Sequence, residues 1–279
     1  MEKEVSDFVP EDKAAEYCGF LSIVCKLSAY LLWITGLQPL HLQIQQEATY
    51  ARVARARSAS NFFTVIFSPT DYESKSSGIH IHPHPPPSFL LHNQISFAEN
   101  HIDSGVKAIY TDGSKTDEGT GSAYCILENY GIIASWQGKL DRRNSVFQAE
   151  ILAIRMTIGA ASSLHRPIKI WTDSLSSLMA ILNPKSHHSV VQEIQTLLFS
   201  HKHIHLRWLK AHVGYLGNEC ADQLAKEAIT KADPFLLLKP LSYLKAKIKS
   251  ATLGIWQENW DNGETGRSTH DIVPRVSNK

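Results

Sequence analysis

An α/β fold built on a mixed five-stranded sheet flanked by helices is what this sequence predicts, on three observations. Val106–Asp112 is a run of β-formers ending at a carboxylate, and Ile168–Asp173 echoes it, with Tyr110-Thr111-Asp112 answered by Trp171-Thr172-Asp173. Around these two runs, segments of strand and helix period follow one another in the order β-β-β-α-β-α-α-β-α. That order opens as an antiparallel meander and ends in crossover units, which puts the fourth and fifth strands parallel to the first. Finally, 279 residues with 43% apolar and 20% charged side chains are enough for a sizeable core.

Taken in order, residues 14–57 read as helical: Leu21, Val24, Cys25, Ser28, Leu31 and Leu32 recur at helical spacing, and Leu42–Arg57 is rich in Ala, Gln and Arg. From 58 to 104 the periodicity fails. Ser, Asn, His and Pro dominate, and Pro85-Pro86-Pro87 forbids helix, so a linker is expected there. His80, His82 and His84 alternate within it, but no thiol or carboxylate completes a metal site.

The third segment, 105–231, holds the predicted sheet. Val106–Asp112 is its first strand, with Gly113-Ser114 expected as a turn, and Gly121–Leu127 and Gly131–Lys139 are joined at Asn129-Tyr130-Gly131, a tight-hairpin signal. A helix over Ser145–Ser163 starts from Asn144 or Ser145 as N-cap and buries Phe147, Ile151, Ile154 and Ile158. Ile168–Asp173 is the fourth strand, and Ser174 caps a short helix that Asn183-Pro184 ends. A helix over Val190–His201 leads to a fifth strand, Ile204–Leu209. A glycine-bearing loop and a helix from Asn218 to Thr230 close the unit. The segment 232–279 is a basic amphipathic extension carrying Trp256 and Trp260, which are expected to pack on another domain; disorder is expected after Asn262.

The net charge of +1 hides basic clusters at Arg52–Arg57, Lys139–Arg143 and Lys239–Lys249. Cys18, Cys25, Cys125 and Cys220 lack Cys-x-x-Cys spacing, which suits a reducing, intracellular compartment, either cytoplasm or nucleus. The apolar run Phe20–Leu37 is interrupted by Lys26 and follows an acidic stretch. Neither a signal peptide nor a membrane span is expected.

Four acids carry the chemistry. Asp112 and Asp173 end neighbouring parallel strands, on the rim where open α/β sheets place their sites. Glu150 borders the buried stripe of the first long helix, and Asp222 lies near the start of the last. Singly, each passes as a turn, a cap or a surface acid. Together they need counter-charge, which hard divalent cations supply to oxygen ligands.

The loop Trp208-Leu209-Lys210-Ala211-His212-Val213-Gly214-Tyr215-Leu216-Gly217-Asn218-Glu219-Cys220-Ala221-Asp222 resembles the last signature of type 1 ribonuclease H. Tyr110-Thr111-Asp112-Gly113-Ser114, Gln148-Ala149-Glu150 and Trp171-Thr172-Asp173-Ser174 resemble the other three, in the family's order, over about Val106–Thr230. The resemblance implies the ribonuclease H-like fold and hydrolysis of the RNA strand of RNA–DNA hybrids. It implies a site of two Mg²⁺ ions, with Mn²⁺ as a substitute, held by Asp112, Glu150, Asp173 and Asp222. It also gives His212 the part of the loop histidine that moves protons or releases product. Gly113, Ser114, Gln148 and Ser174 lie beside the acids as candidate contacts to 2′-hydroxyls. Lys139, Arg142, Arg143 and Lys210 are candidate phosphate contacts.

The motif style, with Phe147-Gln148-Ala149-Glu150 and the His212–Glu219 run, is similar to the ribonuclease H domain of non-LTR (LINE-like) retrotransposon polyproteins. On that resemblance the chain is a truncated fragment, with 1–57 a remnant of a reverse transcriptase and a reverse transcriptase of the parent element as partner. No Tyr-x-Asp-Asp motif is present, so no polymerase activity is expected. Two alternatives stand beside this reading. One is a catalytically silent nucleic-acid-binding relic. The other, an integrase- or transposase-like strand transferase, is disfavoured by Glu150 and by an Asp222 that comes 49 residues after Asp173.

Overall fold

The computed structural model describes residues 38–74, 91–98, 107–164, 166–263 and 270–276. Two compact units divide the chain, one of residues 68–244 and one of residues 1–67 with 245–279. Several sequence expectations lie outside the described residues: the helix over 14–37, the apolar run Phe20–Leu37, the histidines at 80, 82 and 84, and Val106.

In the second-named unit, helix α1 (Leu40–Ala54) buries Leu42, Tyr50, Val53 and Ala54, and a short hairpin of β1 (Ser60–Phe62) and β2 (Val65–Phe67) follows. Trp256 and Trp260 are buried. The tail expected to lack structure gives Trp260 its partner, since the indole N–H donates to the Val273 carbonyl at 2.9 Å. A buried indole needs such an acceptor, and that need orders the tail.

The unit of residues 68–244 is the α/β unit. Its sheet has six strands rather than five, in the order β3-β8-β7-β4-β5-β6. The expected five are β4 (Ala108–Lys115), β5 (Thr120–Glu128), β6 (Gly131–Leu140), β7 (Ile168–Thr172) and β8 (Ile204–Trp208). β4, β5 and β6 form the antiparallel meander, while β7 and β8 run parallel to β4. The extra strand, β3 (Ile95–Ser96), pairs parallel with β8 from within the segment read as a linker. Two residues in a polar stretch give no periodicity to read. β3 is fixed instead by Gln94, whose buried carboxamide donates to the carbonyls of Leu198 and Ile204.

Local chemistry sets the other elements. Asn129 and Tyr130 both take positive φ between Glu128 and Gly131, the geometry of a two-residue type I′ hairpin. Helix α2 (Val146–Ala161) opens on a capping box in which Ser145 and Gln148 satisfy each other's backbone N–H. Helices α3 (Leu175–Leu182) and α4 (Ser189–Ser200) follow β7, and α5 (Leu216–Lys231) follows β8. The main core lies between one sheet face and α2, α3 and α4, around Ile109, Ile154, Ile170, Leu178, Ile194 and Leu206. On the other face, α5 covers β4, β5 and β6. A last helix, α6, spans Leu241–Asp261, and no described helix is long and apolar enough to cross a membrane.

Gly113-Ser114 is strand, not turn. β4 continues to Lys115 because β5 goes on pairing with it after β7 has stopped at Thr172. Asp112 therefore sits at the rim of the parallel half of the sheet while still inside an antiparallel pair.

Candidate active site

The aromatic-Thr-Asp echo has a direct structural meaning. Tyr110 pairs with Trp171 and Thr111 with Thr172, so the two runs lie side by side in register. The residue after each threonine is an aspartate, and the two carboxylates reach the same rim. Both threonines are fully buried and tie the strands down: Thr111 Oγ1 donates to the Trp171 carbonyl, and Thr172 Oγ1 accepts from the Ser174 N–H.

Glu150 is delivered by α2, which approaches β4 and β5 closely. A Cβ on Gly113 would lie 2.7 Å from Glu150 N and 2.9 Å from Ala149 Cβ, so only glycine permits that approach. Ser122 on β5 holds the helix in place by donating to the Ala149 carbonyl at 2.7 Å. Asp112, Glu150 and Asp173 each offer a carboxylate oxygen, all within 4.8 Å of one another. Asp112 and Glu150 are each only 6% exposed.

Buried acids this close oppose each other's ionisation. Burial, then Asp173, raises the Asp112 carboxyl to about 7, although the Gly113 N–H donates to Asp112 Oδ1 at 2.8 Å. Burial, then Asp112 and Asp173, pushes Glu150 well above the ordinary glutamate range. Burial also raises Asp173, against the opposing pull of an Asn218 hydrogen bond and of His212. Glu150 Oε2 is buried with no hydrogen-bond partner among the described residues, and the repulsion of the Asp112 and Asp173 carboxylates outweighs the opposing pull of the Gly113 N–H. Such a cradle fits a hard divalent cation, which takes oxygen ligands and removes the repulsion.

Asp222 lies apart from this trio. It sits on the second turn of α5, half-buried, with Oδ2 2.6 Å from Lys226 Nζ. Its charge still reaches the centre, raising both Asp112 and Asp173. His212 stands exposed on the loop before α5 in the left-handed region, φ +53°, and its charge bears on Asp173.

The candidate substrate contacts divide. Gly113 and Ser114 lie on β4 beside Asp112, and Ser174 follows Asp173 directly. Ser174 does not cap α3 with its side chain; its hydroxyl bonds to that of Ser177 at 2.8 Å. Gln148 is 3% exposed, and its carboxamide is used within the protein. Oε1 accepts from Asn144 and from the Ser145 N–H, while Nε2 donates to Glu73 and to the Leu238 carbonyl. Lys139 is on β6, where residues 233–235 pair with its backbone. Arg142 and Arg143 are exposed in the turn before α2, Arg143 within 3.7 Å of Asp141, and Lys210 is exposed on the histidine loop.

Three contributors escape a reading of types and spacing. Asn218 is 1% exposed inside the helix, and its Nδ2 donates to Asp173 Oδ2 at 3.3 Å. Gly217 lets α5 sit on the Tyr110 ring, which a Cβ would meet at 2.2 Å. Glu73 reaches α2 through Gln148 from a segment with no motif at all. Only for Lys226, one helical turn after Asp222, does the spacing carry a readable signal.

Residues 105–230 match the family model RNase H. Among curated proteins, the chain is similar to the Ribonuclease H of Tropheryma whipplei, strains Twist and TW08/27. Each is 29% identical over 96 residues, an overlap of 29% of this chain and 59% of the relative. The chain thus spans less than two thirds of the length of these relatives. Among solved structures, it is similar to a foamy viral protease-reverse transcriptase in complex with RNA/DNA hybrid, at a TM-score of 0.40 and 19% identity, over 53% of this chain and 21% of that one. Asp112, Glu150 and Asp173 gather at one rim, and the match of residues 105–230 to the RNase H family model runs across all three.

Proposed function

We propose that the chain is a hydrolase that cuts the RNA strand of RNA–DNA hybrids with divalent metal ions, two Mg²⁺ or, in their place, Mn²⁺. One observation carries the reading. Three carboxylates, carried by β4, α2 and the end of β7, meet within 4.8 Å, one of them with a buried oxygen that has no hydrogen-bond partner among the described residues. Asp112, Glu150 and Asp173 would hold the ions, with Asp222 at the outer edge. Bound there, the ions supply an activated water and charge neutralisation at the scissile phosphate.

The protein's own groups do the rest. Asn218 fixes the orientation of Asp173, and Gly113 admits the backbone of α2 so that Glu150 reaches the rim. His212, exposed and close enough for its charge to bear on Asp173, takes up or returns a proton at the open side. Ser114 and Ser174 offer hydroxyls beside the acids for ribose 2′-hydroxyls, the group that tells RNA from DNA. Gln148, committed to the helix cap and to Glu73, serves α2. Lys210, Arg142 and Arg143 hold phosphates, which makes binding salt-sensitive and largely independent of sequence.

The non-LTR retrotransposon origin, with a reverse transcriptase as partner, is part of this proposal and is supported by the Phe147–Glu150 and His212–Glu219 motifs. The test is cleavage of a labelled hybrid with Mg²⁺ by the full chain and by Asp173→Asn. Cleavage of the RNA strand alone, dependent on metal and lost in the variant, is expected. No metal-dependent cleavage by the folded wild type would overturn the reading.

A further inference from the structure

One face of the β7–β8 pair carries side chains that the active site does not use. Register partners in parallel strands point to the same side, and here Lys169 pairs with His205, Trp171 with Arg207, and Ser96 with Arg207. Ile168, Ile170, Ile204 and Leu206 alternate to the opposite side and belong to the main core. Lys169, His205 and Arg207 therefore share a face, with His203 two positions before His205. The helix on this side of the sheet, α5, lies over β4, β5 and β6 and reaches Trp171, which is buried in one cluster with Ala221, whereas His205 and Arg207 are half-buried and Lys169 is exposed.

The face is positive and incompletely satisfied. Neither Lys169 nor Arg207 forms an ion pair with a described residue. Arg207 Nε, His203 Nε2 and His205 Nδ1 are buried atoms with no hydrogen-bond partner among the described residues. A guanidinium N–H can only donate, and leaving it unpaired is costly, so it calls for an acceptor, best an anionic one. Burial, and then the positive neighbours Arg207, His203 and Lys169, hold His205 below the ordinary histidine value. Polyanion is the complement of such a surface.

Geometry narrows the polyanion to one strand of nucleic acid. The face spans β7, β8 and the two residues of β3, about 10 Å at the usual strand spacing. A duplex offers a major groove that is by itself about 12 Å wide. Lengthwise, the Trp171–Arg207 row lies two residues from Asp173 and the Lys169–His205 row four, or about 7 and 13 Å from the rim. Cations at such intervals, interleaved with imidazole rings, match the pattern by which single strands are held through phosphates and stacked bases.

We infer that the Lys169–His205–Arg207 face is a track for single-stranded nucleic acid leaving the active centre, with Lys169 and Arg207 on phosphates and the histidine rings against bases. It rests on the nucleic-acid reading of the active site. The experiment compares the full chain with Lys169→Glu and with Lys169→Glu/Arg207→Ala, each checked by thermal melting. Affinity is read, in the Asp173→Asn background and Mg²⁺, for a blunt RNA–DNA hybrid and for the same hybrid with a single-stranded overhang of about eight nucleotides. Binding of the free overhang strand is read in the wild type and in Lys169→Glu.

The overhang is expected to tighten binding about tenfold, and the track substitutions to erase that gain while leaving blunt-hybrid affinity and cleavage within about twofold. Because Lys169 is exposed, Lys169→Glu alone removes most of the gain even if the double variant fails to fold. An overhang that adds nothing, equal losses on blunt and overhung hybrids, or competition by polyglutamate as strong as by the oligonucleotide would each overturn the track. A wild type that cleaves no hybrid would instead sink the enzymatic reading. The track would then stand or fall on whether free-strand binding depends on Lys169.

Discussion

The two halves of the candidate site are built by different means. Asp112, Glu150 and Asp173 come from β4, α2 and the end of β7, each fixed by sheet register or by helix-to-strand contact, and their carboxylates gather within 4.8 Å. Asp222 and His212 come from α5 and its preceding loop; Asp222 is held by an exposed lysine, and His212 stands in solvent. The first half is a stiff cradle strained by its own charge, and the second is an adjustable edge. Register contributes geometry that cannot relax, so the cradle suits ions that must sit in one place. A loop and a surface ion pair suit groups that move during turnover.

If that contrast holds, substitutions in the cradle cost more than those at the edge. Asp112→Asn or Asp173→Asn is expected to lower the hybrid cleavage rate by about 10³-fold or more, and Asp222→Asn or His212→Ala by about 10–100-fold. Single-turnover rates at saturating Mg²⁺ check the order. Equal losses in both sets would erase the distinction.

Gly113→Ala attacks the cradle without touching a carboxylate. Its Cβ would fall 2.7 Å from Glu150 N and 3.0 Å from Ala149 C, and backbone atoms of α2 leave little room to give way. Overpacking of this kind costs about 1–3 kcal/mol, and the shift displaces Glu150. Denaturant unfolding should show the loss, with cleavage falling further than stability alone explains.

The cradle's charge also predicts how metal and pH combine. An unfolded aspartate loses its proton near about 3.9, whereas Asp112 in the folded protein keeps its proton up to about 7. Across that window the folded state binds more protons than the unfolded state, so metal-free stability falls as pH rises from about 4 to about 7. The raised Glu150 and Asp173 act in the same direction. Melting in EDTA should thus drop over this range, and Mg²⁺ should restore more stability at pH 8 than at pH 5. A metal effect independent of pH would mean that the acids do not repel as described.

How much of this was legible in the sequence follows the same division. The echo of Tyr110–Asp112 in Trp171–Asp173 showed two neighbouring parallel strands because register acts on alternation, which a sequence displays. Glu150 was legible from its place beside the apolar stripe of α2. Asn218 and Glu73 were not, because their contacts depend on how far α5 and the segment at residues 72–74 approach other elements, and no spacing encodes that distance. β3 was hidden for the same reason: Ile95–Ser96 is a strand only because Gln94 is pinned to α4 and β8.

The smallest expected effect sits at the edge and tests it most finely. Lys226 Nζ lies 2.6 Å from Asp222 Oδ2 as an i,i+4 pair on α5, with the lysine side chain 52% exposed. An exposed pair of this kind adds little to stability, so Lys226→Met should leave the melting temperature almost unchanged. The ammonium nevertheless occupies a carboxylate oxygen that a cation at the edge of the cradle would use, and the two compete. Removing it should lower the Mg²⁺ concentration for half-maximal cleavage by about two- to threefold, a shift abolished in Lys226→Met/Asp222→Asn. An unchanged metal requirement would place Asp222 outside the metal site and leave the cradle of three acids to hold the ions alone.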